Sequence, residues 1–246
     1  MAGPGTTLGG KPESKASELQ AKPSFNRINM MQANEDCWRG QHRKCVLHRL
    51  FYVASISPTQ KSLTDVTVYY EKLISNFPKS HLGDSISGLL LLYQSCIIHV
   101  LESTSDNLYL VLKDLAQMPT ESPSSILQNV KILVISHNIP NRLFSQWSFR
   151  IIDVPMKYLE DTTHEQPLET VLSECLILML KMAIYLSKMP KIGRQGTGEN
   201  LHALIPDLLV REDVIRYFCK SQELMTPAQF LQAFNRPLQY SDATSR

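Results

Sequence analysis

A histidine inside an apolar run is the residue of this sequence that most calls for a chemical explanation. The stretch from Leu89 to Glu102 reads LLLLYQSCIIHVLE, and His99 occupies a place where a valine or isoleucine is expected. Short apolar runs separated by turn residues, here Tyr93-Gln94-Ser95, are typical of two strands buried on both faces. A histidine there is either a neutral core side chain bonded to a neighbour or a group that contacts a ligand. We favour the core interpretation and keep the ligand contact as the alternative.

A second arrangement of reactive side chains lies near the N-terminus, where Cys37, His42 and Cys45 occur in CWRGQHRKC. Structural zinc sites generally use four ligands that include a closely spaced cysteine pair. The sequence offers neither that close pair nor a second half at matching spacing, and its seven histidines form no H-E-x-x-H pair. We therefore predict no metal site.

The remaining polar motifs do not assemble a catalytic site. The segment from Gly193 to Gly198 (GRQGTG) follows a helical pattern and lacks the Gly-Lys-Ser/Thr ending of a phosphate-binding loop. Gly83-Asp84-Ser85 comes before a strand, whereas a nucleophile elbow follows one. We assign no catalytic residue and predict that the protein is not an enzyme.

Composition indicates one real hydrophobic core and no strongly charged partner. The 246 residues are 43% hydrophobic with a net charge of +2, which favours neither nucleic acid nor membrane as a partner. Five cysteines without regular spacing are typical of a reducing compartment, and the N-terminus has no apolar signal core. The most apolar segment, Leu168 to Leu186, carries Glu169, Glu174 and Lys181, so we interpret it as a poor membrane span. We predict an intracellular, cytoplasmic protein.

Hydrophobic periodicity predicts an α+β fold with the ferredoxin-like order β-α-β-β-α-β followed by one more strand. Both helices of that arrangement lie on one face of the sheet. The predicted elements are a strand over 46–55, a helix capped by Thr64, the strand pair of 89–102, a helix from Thr104 or Ser105, and strands over 130–135 and 146–152.

Strand alternation predicts that the other face of the sheet is apolar and needs a cover. If Tyr52 and His99 face the helices, their strand neighbours Phe51, Val53, Ile98 and Val100 face the opposite side. The C-terminal third offers helices for that face: an apolar one over 168–187, a helical region over 201–221, and a last helix introduced by the capping box Thr226-Pro227-Ala228-Gln229.

These patterns divide the chain into four parts. Residues 1–43 are rich in Gly, Pro, Ser and Lys and are predicted to form a disordered tail. Residues 44–155 form the α+β domain, 156–240 a helical C-terminal extension, and 241–246 a frayed end.

Four segments together resemble the BLUF domain, a flavin-binding blue-light sensor: RLFYVAS (49–55), ISGLLLLY (86–93), IIHVLES (97–103) and IPNRLFSQWSF (139–149). The resemblance covers about residues 46–153. It implies a ferredoxin-like, BLUF-type five-stranded sheet with two helices on one face.

The resemblance also implies positions for a flavin site. The tyrosine that surrounds the flavin in that family falls on Tyr52, and its tryptophan falls on Trp147. The family's asparagine falls on His81, its glutamine on His99, and the methionine after the tryptophan on Phe149. Tyr52, His81, His99 and Trp147 are therefore the candidate cofactor-binding positions, and FAD is the cofactor that the family would imply.

The two departures from the family pattern bear directly on that chemistry. In the family, light moves an electron and a proton from the tyrosine through the glutamine, whose amide then rearranges its hydrogen bonds. An amide offers two donors and an acceptor on one group, and an imidazole cannot reproduce that set. We expect that the light switch is absent and that no flavin is retained.

We therefore predict a non-enzymatic, light-insensitive BLUF-like protein that acts as a structural or protein-interaction component with a protein partner. The whole chain also resembles a group of BLUF-like proteins that are expressed in the mammalian testis. This resemblance implies a place in an assembly of the sperm cell, such as its flagellar axoneme. The alternative is a flavin-binding photosensor or redox sensor that acts through the four candidate positions.

Overall fold

The computed structural model describes residues 46–59, 62–77, 85–118, 125–152, 166–188 and 201–234. The predicted tail, the frayed end and the segment from Gly193 to Gly198 lie outside these ranges. The elements are β1 (His48–Ile56), α1 (Leu63–Ser75), β2 (Ser87–Leu92), β3 (Cys96–Ser103), α2 (Ser105–Gln117), β4 (Leu127–Ser136), β5 (Trp147–Ile151), α3 (Leu168–Lys188), α4 (Leu201–Leu204), a 3₁₀ turn (Pro206–Leu208), α5 (Glu212–Lys220) and α6 (Pro227–Phe234).

The five strands form one mixed sheet in the order β4-β1-β3-β2-β5. β1 runs antiparallel to both β3 and β4, β2 runs antiparallel to β3, and β5 joins β2 in parallel. The first four strands thus have the ferredoxin-like order, and the predicted α+β fold is confirmed.

Two predicted boundaries were wrong for local reasons. Helix α1 is capped by Ser62 rather than Thr64, because Ser62 has an extended backbone and its hydroxyl accepts the Thr64 amide at 3.2 Å. Strand β4 begins three residues earlier than expected, since Asn129 takes a positive φ of 51° at an irregular pairing with β1 and so interrupts the apolar alternation.

The strand pair β2–β3 forms the centre of the molecule, as the apolar runs predict. Every residue of both strands is buried. Gly88 is required in this pair because its φ is +155° and a Cβ there would lie 2.1 Å from the carbonyl oxygen of Val100. The two strands approach one another too closely at this point for any side chain.

One face of the sheet packs against α1 and α2. Leu50, Tyr52 and Leu90 lie in a single hydrophobic cluster with Val66 and Tyr70 of α1. Four residues of α2 complete this cluster, namely Leu108, Val111, Leu112 and Leu115. Tyr52 therefore points toward α1 and α2, as strand alternation predicts.

The opposite face is covered by C-terminal helices, which confirms the second half of the predicted architecture. The four apolar strand residues on this face are 3% exposed or less, namely Phe51, Val53, Ile98 and Val100. They share one hydrophobic cluster with residues of α3 and α5. The short helix α5 lies directly against β1, β3 and β4. It is held there by the turn between β2 and β3, where the Tyr93 hydroxyl donates to the Val210 carbonyl (2.6 Å) and the Ser95 amide to the Glu212 carboxylate (3.0 Å).

Helix α6 lies on the same face of the sheet as α1 and α2, so it does not add to the helices that cover the opposite face. The backbone amide of Ile132 donates to the Met225 carbonyl at 2.9 Å, which runs the preceding segment along the edge strand β4. The predicted capping box is present: the Thr226 amide donates to the Gln229 side chain, and the Gln229 amide donates to the Thr226 hydroxyl. Helix α6 then packs against α2.

Helix α3 is long and apolar enough to cross a membrane by length and composition alone. Its most apolar window has a mean hydropathy of 1.6, and 28% of that window is buried within the fold. In this structure its inner face joins the core, whereas Ile177 and Ile184 are 49% and 46% exposed on its outer face. The same test is passed by core helices of soluble proteins, so the prediction that the chain has no membrane partner stays a prediction.

The close approach at Gly88 predicts that Gly88→Ala destabilises the fold by about 3 kcal/mol, because the new methyl group must displace the backbone of β3. Chemical denaturation of the two proteins measures this difference. Gln94→Ala, at the exposed tip of the same strand pair, is the matched control and is expected to change stability by less than about 0.5 kcal/mol. Equal stability of G88A and the unchanged protein would contradict the geometry.

Candidate functional site

Three of the four candidate positions meet on the face of the sheet that packs against α1 and α2. Tyr52 and His99 are direct cross-strand partners on β1 and β3, and Trp147 opens the edge strand β5. His81 lies outside the described residues, so its prediction stays open. Tyr52 and His99 are fully buried, while Trp147 is half-buried.

Both ring nitrogens of His99 are hydrogen-bonded. The indole Nε1 of Trp147 lies 2.9 Å from His99 Nε2, and the hydroxyl of Tyr52 lies 2.7 Å from His99 Nδ1. An indole N–H can only donate, so Nε2 must be the acceptor. A neutral ring then carries its proton on Nδ1, which donates to the Tyr52 oxygen. The neighbours of His99 thus fix both its charge and its tautomer.

A further tyrosine, Tyr70, extends this chain of hydrogen bonds and was not identified from the sequence. The hydroxyl of Tyr52 donates to that of Tyr70 at 2.8 Å, and the Tyr70 ring stands edge-on to His99 with centroids 4.7 Å apart. Helical spacing in α1 allows either Tyr69 or Tyr70 at the inward position, and the structure places Tyr70 there.

Tyr69 has a different role from its neighbour. Its hydroxyl donates to the carboxylate of Asp114, so it bridges α1 and α2 above the buried tyrosine. The rings of Tyr69 and Tyr70 also meet edge to face, with centroids 4.9 Å apart. This bridge closes the space between the two helices over the hydrogen-bonded chain.

Burial makes these groups poor at exchanging protons near neutral pH. Burial lowers the pKa of His99 to about 3, so its imidazole stays neutral over the physiological range. Burial also raises the pKa of Tyr52 and that of Tyr70 well above the usual value for tyrosine. The cluster is therefore suited to holding side chains in place and unsuited to acid–base catalysis.

A buried carboxylate fixes the loop that leads into β5. Glu102, at the end of β3, is fully buried and accepts a hydrogen bond from Arg49 Nε at 2.7 Å. The same carboxylate accepts the backbone amides of Leu143 and Phe144 at 3.0 and 3.2 Å. These bonds hold residues 143 and 144 just before Trp147, and so position the indole that reaches His99.

Arg142 reinforces this anchor from the loop side. Its guanidinium donates to the Ser87 hydroxyl at 2.8 Å and to the Glu102 carbonyl at 2.6 Å. Glu102 and Arg142 could not be identified from the sequence, because a contact between positions forty residues apart leaves no local signal. Glu102 and Arg142 both fall inside the segments that resemble the BLUF family.

The residues present do not fit a flavin. Tyr52, His99 and Trp147 direct their polar atoms at one another, so a bound ring could gain a hydrogen bond from His99 only after an existing one breaks. Tyr70 and Tyr69 occupy the adjoining space between the helices. The structure has a cavity of about 340 Å³ elsewhere, between α3 and the 206–214 segment.

Within the described ranges, no group of three or more His, Cys, Asp or Glu side chains could hold a metal ion. The cysteines there, Cys96, Cys175 and Cys219, are buried and unpaired by disulfides. Burial raises the pKa of Cys219 to about 11, which keeps the thiol protonated and unreactive.

The neutral state of His99 predicts a specific dependence of stability on pH. Below its ordinary pKa of 6.5, the unfolded chain takes up a proton that the folded chain refuses until about pH 3. The contribution of neutral His99 to the free energy of unfolding is complete above about pH 6.5 and decreases as the pH falls below that value. Between pH 7 and pH 5 the free energy of unfolding should fall by about 2 kcal/mol more in the unchanged protein than in His99→Gln. Urea titrations of both proteins measure this, and parallel pH profiles would contradict the neutral assignment.

One protein family and several solved structures are similar to this chain. The family model of testis-expressed protein 47 matches residues 46–236. Similar solved structures include a bacterial light-regulated adenylyl cyclase, at 21% identity and a TM-score of 0.36, over 57% of this chain and 38% of that one. They also include Klebsiella pneumoniae BlrP1, at 20% identity and a TM-score of 0.34, over 48% of this chain and 27% of that one.

The BLUF protein BlrB, in its dark state, is 18% identical with a TM-score of 0.33, over 44% of this chain and 72% of that one. The chain thus spans well under half the length of the cyclase and of BlrP1. Likeness at these identities and TM-scores carries no conclusion about activity or ligand. The family model, in contrast, spans most of the sequence, and the chain belongs to the testis-expressed protein 47 family.

Proposed function

We propose that this protein is a non-enzymatic, light-insensitive module that serves as a structural or protein-interaction component of an assembly in the sperm cell, such as the flagellar axoneme. One observation carries the proposal: both ring nitrogens of His99, the residue that the BLUF resemblance aligns with the light-sensing glutamine, are bonded to protein side chains. On this proposal the BLUF-like fold is kept, and the side chain that would bond a flavin is instead bonded to Tyr52 and Trp147.

The chemistry of imidazole supports the light-insensitive part of the proposal. The family's switch needs an amide that exchanges donor and acceptor roles beside the flavin. His99 has one donor and one acceptor, and both are engaged by Tyr52 and Trp147. No rearrangement of its bonds is available without first breaking one of them.

The outer face of α3 supports the interaction part of the proposal. Ile177 and Ile184 are about half exposed, with Leu180 partly exposed between them on the same side of the helix. Exposed apolar side chains that share one side of a helix are typical of surfaces that contact another protein. Membership of a testis-expressed family supports the sperm cell as the place where that contact forms.

Purified protein tests the loss of light sensing directly. We expect a colourless preparation that retains no FAD through gel filtration after incubation with the cofactor, because the polar atoms of the cluster are already paired. BlrB treated in parallel is the positive control. A retained flavin whose absorption shifts to the red under blue light would overturn the proposal and favour the photosensor alternative.

Fractionation of sperm tests the structural role. We expect the protein to stay with the axonemal pellet after the membranes are removed with non-ionic detergent, and to be released only by high salt or denaturant. Release together with soluble cytosolic proteins would contradict a structural role. Partition into the detergent phase would instead favour a membrane position for α3.

A further inference from the structure

The exposed side of helix α3 has the residue spacing of a coiled coil. Its side chains recur at alternating intervals of three and four residues, as do the a and d positions of a heptad repeat. The apolar ones lie at the centre, where Ile177 and Ile184 are 49% and 46% exposed. We call this stripe the α3 seam, and it consists of Thr170, Ser173, Ile177, Leu180, Ile184 and Ser187. A two-stranded coiled coil buries one such stripe from each helix.

The two serines of the α3 seam can be buried without leaving an unpaired hydroxyl group. The Ser173 hydroxyl donates to the Glu169 carbonyl at 2.7 Å, and the Ser187 hydroxyl donates to the Ile184 carbonyl at 2.8 Å. Because both bonds lie within α3, they persist when water is excluded. The seam thus combines small, bonded side chains toward its ends with large apolar ones at its centre.

One flank of the α3 seam carries two charges of opposite sign. Glu174 and Lys181 each follow a d residue of the seam, so both occupy e positions, one heptad apart. Both side chains are exposed, and neither has an ion-pair partner among the described residues. Seven residues of helix span about 10 Å, which is too far for the two side chains to pair with each other. A partner for either charge has to come from outside α3.

We propose that α3 pairs with α3 of a second copy of this chain as an antiparallel, two-stranded coiled coil. This inference rests on the role proposed above for the outer face of α3 as an interaction surface, and it names the partner. In the antiparallel register Ile177 packs against the partner's Leu180, and Ile184 packs against the partner's Ser173. Glu174 then lies beside the partner's Lys181, and the twofold symmetry forms the same pair a second time.

Charge favours the antiparallel orientation over the parallel one. In a parallel pair the e residues face g residues of the other helix. Glu174 would then lie beside the partner's Glu169, which is repulsive, and Lys181 would lie beside the partner's Leu176. The antiparallel pair replaces both contacts with Glu–Lys pairs.

Helix length and self-complementarity favour a second copy as the occupant. Helix α3 has 21 residues and is centred on Leu178. The antiparallel register is centred close to the same residue, so the two helices overlap along nearly their whole length. A twofold interface needs one surface that is complementary to itself, and the α3 seam with its charged flank meets that condition. A lipid bilayer offers no opposite charge to Glu174, so this flank disfavours a membrane.

Sedimentation velocity of the full chain over a range of concentrations tests the pairing. We expect a reversible dimer, and at least about tenfold weaker dimerisation in Glu174→Lys, because each flanking pair then brings two lysines together. Glu71→Lys makes the same change of charge on α1 and is the matched control with unchanged dimerisation. Both positions are exposed, so both variants should keep the fold, and circular dichroism melts check that.

Exchange of the two charges gives a readout that a merely structural role would not. Lys181→Glu alone should also weaken the dimer, and the double variant E174K/K181E should restore it. A mixture of the two single variants should form a heterodimer, since every flanking pair is then a Glu–Lys pair. Absence of both recoveries would overturn the antiparallel pairing, as would a dimer that E174K leaves unchanged or strengthens.

A chain that stays monomeric at every concentration would also overturn the proposal. If that monomer floats with phosphatidylcholine vesicles, the α3 seam contacts a membrane; if it does not, the seam contacts a different protein. The sperm fractionation described above reports the structural role separately. A monomer that stays with the axonemal pellet would overturn the pairing alone, and a dimer that is released with cytosolic proteins would overturn the structural role alone.

Discussion

The burial of one neutral imidazole is the constraint on which the arrangement of this domain depends. A histidine at the centre of a sheet covered on both faces has no water to bond, and an unpaired ring nitrogen there would cost about 1–3 kcal/mol. Trp147 satisfies one nitrogen and Tyr52 the other. The Tyr52 hydroxyl in turn bonds to Tyr70, so one polar side chain in the core specifies the positions of three aromatic side chains on three different elements.

That requirement links parts of the chain that would otherwise pack independently. Trp147 reaches His99 only because the preceding loop is fixed, and the loop is fixed by the buried carboxylate of Glu102. Glu102 lies three residues beyond His99 on the same strand, so β3 carries both the imidazole and the anchor of its partner. The same strand faces α5 and α3 with its alternate residues, so the proposed interaction surface on α3 and the hydrogen-bonded cluster lie on opposite sides of one sheet.

The hydrogen-bonded cluster also supports the proposal that the fold persists without light chemistry. A cavity left by a lost cofactor would weaken the core, since buried empty volume costs packing energy. In this core the rings of Tyr52, Tyr70 and His99 pack against one another, and the helices beside them are joined by Tyr69 and Asp114.

Local pattern was enough to predict much of this molecule. Alternation along β1 and β3 correctly placed Tyr52 on the helix side and Phe51 on the other, and the spacing of Thr226 and Gln229 predicted a capping box that is present. The sequence could not show which of two adjacent tyrosines turns inward, that Glu102 bonds a loop forty residues away, or that α6 returns to the first face. Each depends on contacts between distant segments, which no period or spacing encodes.

The tautomer of His99 shows whether protein side chains occupy both of its ring nitrogens. Nitrogen-15 NMR of the labelled imidazoles at neutral pH should show His99 with a protonated Nδ1 and an unprotonated Nε2, unchanged when FAD is added. A doubly protonated ring, a proton on Nε2, or a shift of either resonance with flavin would contradict the claim that protein side chains already occupy both nitrogens.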